Sequence, residues 1–271
     1  MIEVPIYQVD AFADRAFGGN PAAVCPLDAF PGDELLQSIA VENNLSETAF
    51  IVPLSDDCEA DYHLRWFTPG VEVALCGHAT LAATHVVFTH LQPELDIVRF
   101  KTLSGILTVK RDGDRYQMDF PCYRPFPYQS PVGLGKAMGA EPLSVLKSEH
   151  GDRDLLLVYP DQAAVQALEP DLNALTAFAP FGFIATAPGD DGADFVSRCF
   201  FPNHGIAEDP VTGSAHCVSG PFWADQLGKT ELFAQQISIR GGDLWLKLQG
   251  DRLLISGQAV EVMHGKLTLQ S

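Results

Sequence analysis

The chain has 271 residues, 46% of them hydrophobic and 19% charged, which excludes a disordered or fibrous protein and supplies a sizeable core. Its 35 acidic residues against 17 Lys and Arg give a formal charge of -18, and no Lys/Arg-rich run occurs, so the footprint of a nucleic-acid binder is missing. The first ten residues lack the basic and apolar regions of a secretory signal, and no apolar run approaches a membrane span; a cytoplasmic protein with no membrane partner is expected.

Apolar strands are predicted around Val4 to Phe12 and Ala22 to Cys25. A helix follows, with Leu35, Leu36, Ile39 and Ala40 on one face and Pro31-Gly32-Asp33 as its start. Two strands come next, with Ser55-Asp56-Asp57 as the turn between them. The segment His78 to Leu91 is apolar around too much of its circumference for a surface helix and is expected to be buried. Strands at Val98 to Phe100, Ile106 to Arg111 and Tyr116 to Phe120 close the first half.

The second half repeats the first. Residues 49–69 align without a gap on residues 182–202 at a shift of 133, with Phe50/Phe183, Ile51/Ile184, Arg65/Arg198 and Phe67/Phe200 among eight identities. At a shift of 136, Cys76-Gly77-His78-Ala79 faces Thr212-Gly213-Ser214-Ala215, and at 137 Gly113-Asp114-Arg115 faces Gly250-Asp251-Arg252. Gly220-Pro221 inside the second central helix is expected to kink or shorten it. Pro121 to Pro131, with four prolines, reads as a linker between lobes 1–122 and 123–271, the last strand being free to pack back on the first lobe. The fold class is α/β (α+β): two pseudo-symmetric lobes, each a barrel-like mixed or antiparallel sheet around a central helix, with a cleft along a pseudo-twofold axis as the place for a ligand.

Six cysteines (Cys25, Cys58, Cys76, Cys122, Cys199, Cys217) show no CxxC spacing and read as free or packing thiols, with no metal expected. Gly77 and Gly213 open the two central helices, whose unpaired N–H groups would together hold an anion if the axis brings them to one cleft; two glycines that merely allow close packing are the equal alternative. Glu47 precedes an apolar strand and its repeat counterpart is Pro180, so one lobe alone carries this carboxylate. Partial burial would raise its pKa toward neutrality and suit it to acid–base work, whereas a solvent-facing turn glutamate is the commoner fate. His78 and Asp209, the latter read as part of an insertion, would pair and relay protons, or else serve as a first-turn helix residue and a turn residue before Pro210. Cys76, at a helix N-terminus, would tend toward thiolate and act as base or nucleophile, but Thr212 opposite it denies a matched pair of thiols.

The segments Phe17-Gly-Gly-Asn-Pro-Ala-Ala-Val24, Asn44-Leu-Ser-Glu-Thr-Ala-Phe50, Trp66-Phe-Thr-Pro69, Cys76-Gly-His-Ala-Thr80 and Glu208-Asp-Pro-Val-Thr-Gly-Ser214 resemble the PhzF family, phenazine biosynthesis-like proteins that share the diaminopimelate epimerase fold. The resemblance spans essentially the whole chain. It implies a cofactor-free isomerase with Glu47 as acid/base, His78, Asp209 and Ser214 in support, and Asn20, Ser46, Gly77 and Gly213 lining the pocket of a small anionic substrate. The family's characterised reaction moves a proton between ring carbons of dihydro-hydroxyanthranilate. Cys76 before Gly-His is similar to the epimerase branch, where two cysteines each precede a Gly; Thr212 in the second place disfavours a two-thiol mechanism. The alternatives are a one-cysteine epimerase-like enzyme using Cys76 and a non-catalytic metabolite-binding relative. A homodimer is compatible with the sequence, though no isolated apolar stripe demands one.

Overall fold

A computed structural model describes residues 2–55, 59–148 and 154–269. Cys58 and the Asp56-Asp57 part of the expected turn lie outside the described residues. The chain forms two compact units, Met1–Asp119 with Ser256–Ser271, and Phe120–Ile255.

The first unit runs β1 (Ile2–Ala11), β2 (Asn20–Pro26), α1 (Asp33–Asn43), β3 (Glu47–Pro53), β4 (Tyr62–Phe67), β5 (Glu72–Val73), α2 (Gly77–Val86), β6 (Ile97–Thr102), β7 (Gly105–Asp112) and β8 (Arg115–Pro121). Parallel pairing of β2 with β3 and of β4 with β6 alternates with antiparallel pairing of β1 with β2, β3 with β4, β6 with β7 and β7 with β8. Such parallel pairs need crossover connections, which α1 and α2 supply.

In α2 every residue except Gly77 and His85 is buried, and the helix packs on β1, β2 and β3. Leu81 and Val86 are fully covered, each burial being worth roughly 1.5–3 kcal/mol relative to exposure. Its continuation, Val87–Leu91, is a π-helical turn that Gln92 closes by donating its N–H to the carbonyl of Val87. Leu91, expected inside, ends this turn and is 37% exposed.

The second unit contains β9 (Phe126–Pro127), α3 (Leu134–Met138), β10 (Ser144–Lys147), β11 (Asp154–Val158), α4 (Gln162–Gln166), α5 (Leu172–Leu175), β12 (Gly182–Pro188), β13 (Phe195–Phe201), β14 (Ile206–Asp209), α6 (Gly213–Leu227), β15 (Glu231–Gln236), β16 (Gly242–Gln249) and most of β17 (Arg252–Gly257). The pairing pattern is that of the first unit: β11 with β12 and β13 with β15 are parallel, while β12 with β13 and β15 with β16 are antiparallel. The final strand, β18 (Ala259–Leu269), belongs to the first unit, where it pairs antiparallel with β1 from Ala11/Ala259 to Ile2/Leu269.

The duplication is visible in an ion pair. Arg65 of β4 grips Glu72 of β5 through Nε and Nη2 at 2.7 and 2.8 Å, and Arg198 of β13 grips Glu208 of β14 in the same way at 2.8 and 3.0 Å. Glu208 therefore occupies the place of Glu72, and the added residues of the second copy precede Ile206. Asp209 is a strand residue at the place of Val73 and not part of an insertion.

Register differs between the copies. Phe50 stands opposite Arg65, whereas Phe183 stands opposite Phe200, two positions beyond the equivalent arginine. An even slip keeps the same side chains on the buried face, so both sheets tolerate it.

The segment from Pro121 to Pro131 is held in place: Cys122 and Tyr123 donate their N–H groups to the carbonyls of Asp251 and Cys217, Tyr128 donates to Val145, and β9 pairs with β10. One expectation needs correction: Pro221 does not shorten α6, which runs 15 residues against 10 for α2. Proline removes the N–H that the carbonyl four residues earlier would accept. That carbonyl belongs to Cys217, and the Tyr123 N–H fills it at 2.9 Å.

Candidate active site

In the first unit the start of β3, the start of β2 and the start of α2 converge. The parallel β2–β3 register sets Glu47 against Ala22, two residues after Asn20. Asn20 is delivered by a tight loop. Buried Asp10 accepts the Phe17 N–H through Oδ2 at 2.7 Å, and Gly19 has φ +61 with an ideal Cβ only 2.1 Å from the Ala11 carbonyl oxygen, so a side chain there is excluded.

His78, the second residue of α2, faces Glu47: Nε2 lies 2.9 Å from Glu47 Oε2, with side-chain exposures of 7% and 12%. Neither atom makes an aligned hydrogen bond to any other described group. The other ring nitrogen, Nδ1, is 3.2 Å from the Asn20 amide nitrogen and 3.5 Å from Cys76 Sγ. Ser46 donates its hydroxyl to Asn20 Oδ1 at 3.3 Å. Five side chains thus form one connected polar group around His78.

Burial alone would raise the Glu47 carboxyl, but the charge of His78 and hydrogen bonds from His78 and Cys76 outweigh it, and the group sits below the ordinary carboxylate value. The expectation that burial lifts Glu47 toward neutrality is therefore corrected. Burial opposes protonation of His78, yet the facing Cys76 and Glu47 prevail and its pKa is raised well above the usual value. The proton of the pair resides on the imidazole, leaving Glu47 an ionised carboxylate.

Cys76 caps α2 from an extended conformation, φ -146 and ψ 113, and its carbonyl accepts from the Thr80 N–H and hydroxyl. Its thiol pKa is raised, by burial first and the Glu47 charge second, against the lowering effects of His78 and the Ala79 N–H. The expected thiolate character at this helix start is thus overturned: desolvation exceeds the helix-terminal effect.

In the second unit the matching helix start is built differently. Thr212 caps α6 and donates its hydroxyl to Asp209 Oδ2. Gln236, fully buried at the end of β15, accepts the Thr212 N–H at 2.8 Å and donates to the Asp209 carbonyl at 2.7 Å. Gly213 and Ser214 are the first two residues of α6, Gly213 buried and Ser214 half-buried. The sequence drew a His78–Asp209 pair; within their own units Asp209 accepts from the Thr212 hydroxyl and His78 faces Glu47.

Sequence reasoning did not single out Asp10 or Gln236. Both serve backbone N–H or carbonyl groups, and no motif spacing marks them. It also expected no metal, yet one donor atom each from Glu47, Cys76 and His78 lie within 4.8 Å of one another. A mainly apolar groove of about 710 Å³ in the first unit, walled by Val4, Leu27, Phe30, Leu35 and Ile39, contains none of these groups. Among the described residues no helix is long and apolar enough to cross a membrane.

The family model described as phenazine biosynthesis-like protein, PhzC-PhzF, matches residues 9–265. An uncharacterized isomerase of Pseudomonas aeruginosa is 51% identical over 268 residues, 99% of this chain and 100% of the relative. The crystal structure of a PhzF family protein from Enterococcus faecalis superposes with a TM-score of 0.93 at 40% identity, covering 99% of this chain and all (100%) of that one. A hydroxyproline epimerase from Agrobacterium vitis, at 13% identity and a TM-score of 0.63 over 99% and 93% of the two chains, shares the fold. The chain belongs to the phenazine biosynthesis-like family, PhzC-PhzF, and is an isomerase.

Proposed function

We propose that this isomerase moves a proton within a small carboxylate-bearing metabolite, a cyclic amino acid being the fitting class, with Glu47 as the acid/base and no cofactor. The observation that carries the reading is the buried 2.9 Å contact between Glu47 Oε2 and His78 Nε2. A carboxylate kept ionised by a protonated neighbour can accept a C–H proton as the adjacent bond polarises, hold it as a carboxylic acid, and return it to another carbon.

The other roles follow from what each group can offer. His78 keeps Glu47 ionised and oriented, and Asn20 and Ser46 fix the ring of His78. Gly77 at the start of α2 and Gly213 with Ser214 at the start of α6 offer N–H groups and a hydroxyl suited to a substrate carboxylate and to enolate-like charge. Asp209, tied to Thr212, supports the α6 start.

A second reading places the base on Cys76, whose Sγ is 3.5 Å from His78 Nδ1. It is the weaker one, because the thiol is held protonated by burial and by Glu47. Deuterium uptake from D2O into candidate cyclic amino acids and extracted metabolites tests both. Glu47→Gln is expected to lower exchange by about 10²–10⁴-fold while Cys76→Ala retains it; an exchange-competent Glu47→Gln enzyme would sink the proposal.

A further inference from the structure

The same three side chains that set the protonation of the site also make a metal-ion donor set. Cys76 Sγ, a nitrogen of His78 and a carboxylate oxygen of Glu47 lie within 4.8 Å of one another, all in the first unit and on rigid element starts. A thiolate, an imidazole and a carboxylate suit a borderline-soft ion such as zinc, and three protein ligands with one open position is a common zinc arrangement. Bond lengths of about 2.0–2.3 Å put tetrahedral ligands about 3.3–3.7 Å apart, so Glu47 Oε2 and His78 Nε2, at 2.9 Å, have to open slightly, and the widest-spaced donors, within 4.8 Å, have to close by at most about an ångström.

Two independent features favour coordination. The Glu47 Oε2 and His78 Nε2 atoms are both buried, 2.9 Å apart, and have no hydrogen bond to any other described group, so an ion that takes the place of the proton between them displaces no other partner. On the far side of the ring, Nδ1 is flanked by the Asn20 amide at 3.2 Å and by Cys76 Sγ at 3.5 Å, so the thiol has to swing toward Nε2 to reach the ion, leaving Nδ1 to the amide. Turning that amide over presents its oxygen to an Nδ1–H and its nitrogen to the Ser46 oxygen, the outer-shell support that metal-bound histidines ordinarily have.

We propose that Glu47, Cys76 and His78 form a zinc site whose occupation stops the proton transfer. Zinc takes the place of two protons, one leaving the Cys76 thiol and one leaving the His78–Glu47 pair. The ion then carries a thiolate, a carboxylate and a neutral imidazole, with net charge zero. Glu47, its charge now neutralised by the ion, no longer acts as a base. The inhibitory half rests on the proposed function; the binding half rests on geometry alone.

The test uses the full chain, freed of metal by a chelator. Zinc is titrated in competition with a chromophoric chelator, and cobalt(II) is added in parallel to report a thiolate-to-cobalt band in the near ultraviolet. One tight site per chain is expected, with the cobalt band present. Cys76→Ala should weaken zinc by about 100-fold or more and abolish the band. Cys76→Ser, closer in shape, should lose the band as well while keeping the native melting profile.

His264→Ala removes one histidine of the separate surface group formed by His90, Glu261 and His264, and should change nothing. Binding without the cobalt band, binding indifferent to Cys76→Ala, or binding lost in His264→Ala would overturn the site. Stoichiometric zinc should also halt deuterium exchange, reversibly with chelator. Exchange that continues on the zinc-loaded chain would overturn the inhibitory half, whereas a metal-free chain that binds zinc but never exchanges any candidate would count against the proposed function instead.

Discussion

Asp10 and Asn20 stand opposite sides of one loop, and the carboxylate of the first shapes the backbone that delivers the amide of the second to His78. Asp10 Oδ2 accepts the Phe17 N–H at 2.7 Å, the chain passes under the Ala11 carbonyl at Gly19, and Asn20 arrives 3.2 Å from His78 Nδ1. The polar group around Glu47 is therefore assembled by packing constraints several residues away from it.

Gly19→Ala tests that constraint. A left-handed alanine costs roughly 1–2 kcal/mol by itself, and here its Cβ would also meet Ala11 O at 2.1 Å. Gly113, at φ +65 with nothing within 4 Å of an ideal Cβ, isolates the first cost. Gly19→Ala should lower the melting temperature distinctly more than Gly113→Ala and reduce exchange activity, which Gly113→Ala should leave in place. Equal destabilisation by the two substitutions would show that the close approach does not matter.

The Glu47–His78 pair makes a statement about pH. Glu47 lies below the ordinary carboxylate value of 4.5 and His78 well above 6.5, so the pair contributes stability from acid pH, where it is lost as Glu47 protonates, up to the alkaline side, where it is lost as His78 gives up its proton. In His78→Asn the opposing charge is gone and burial becomes the dominant influence on Glu47, raising its pKa. The acid limb of the exchange rate should then move to higher pH. A limb that stays in place in the variant would mean that His78 does not set the charge of Glu47.

What the sequence revealed and what it hid have physical reasons. The burial of α2 was legible because Leu81, Ala82, Ala83, Val86 and Val87 leave no polar face. Arg65 and Arg198 were legible as repeat positions, but their shared partners, Glu72 and Glu208, were hidden by the extra residues before Ile206. The harmlessness of Pro221 depends on Tyr123, a donor remote in sequence. Glu47 and His78 were named through family motifs, and their mutual distance was not. The charge states of Glu47 and Cys76 are not legible in the sequence, because burial and a facing side chain compete and the folded arrangement decides which prevails.

Gln236 is a buried side chain that the α6 start depends on. It accepts the Thr212 N–H at 2.8 Å and donates to the Asp209 carbonyl at 2.7 Å. Gln236→Ala strips both partners inside the protein, and each unsatisfied group costs about 1–3 kcal/mol. Urea unfolding should show a loss of unfolding free energy of that order, and hydrogen exchange at Thr212 should accelerate. Gln236→Glu keeps the acceptor for Thr212 but sets a carboxylate against the Asp209 carbonyl, so it should recover Thr212 protection without recovering full stability. Protection at Thr212 unaltered in Gln236→Ala would remove this role.

His216 gives the second unit an acid sensitivity separate from that of Glu47. It is fully buried in α6, with Nδ1–H donating to the Thr212 carbonyl at 2.8 Å and Nε2 placed 3.4 Å from the Ser197 hydroxyl. Burial pushes its pKa down to about 4 from 6.5, the Thr212 bond opposing this only in part. A histidine with a depressed folded value contributes its full stability above the unfolded value, and that stability declines as pH falls from 6.5 toward 4, because the unfolded chain binds the proton first. Between pH 7 and pH 5 the loss should be about 2 kcal/mol. His216→Gln, which cannot titrate, should flatten this part of the stability curve in urea titrations at successive pH values, even if it lowers the whole curve. An equally steep decline in the variant would place the acid sensitivity on other groups.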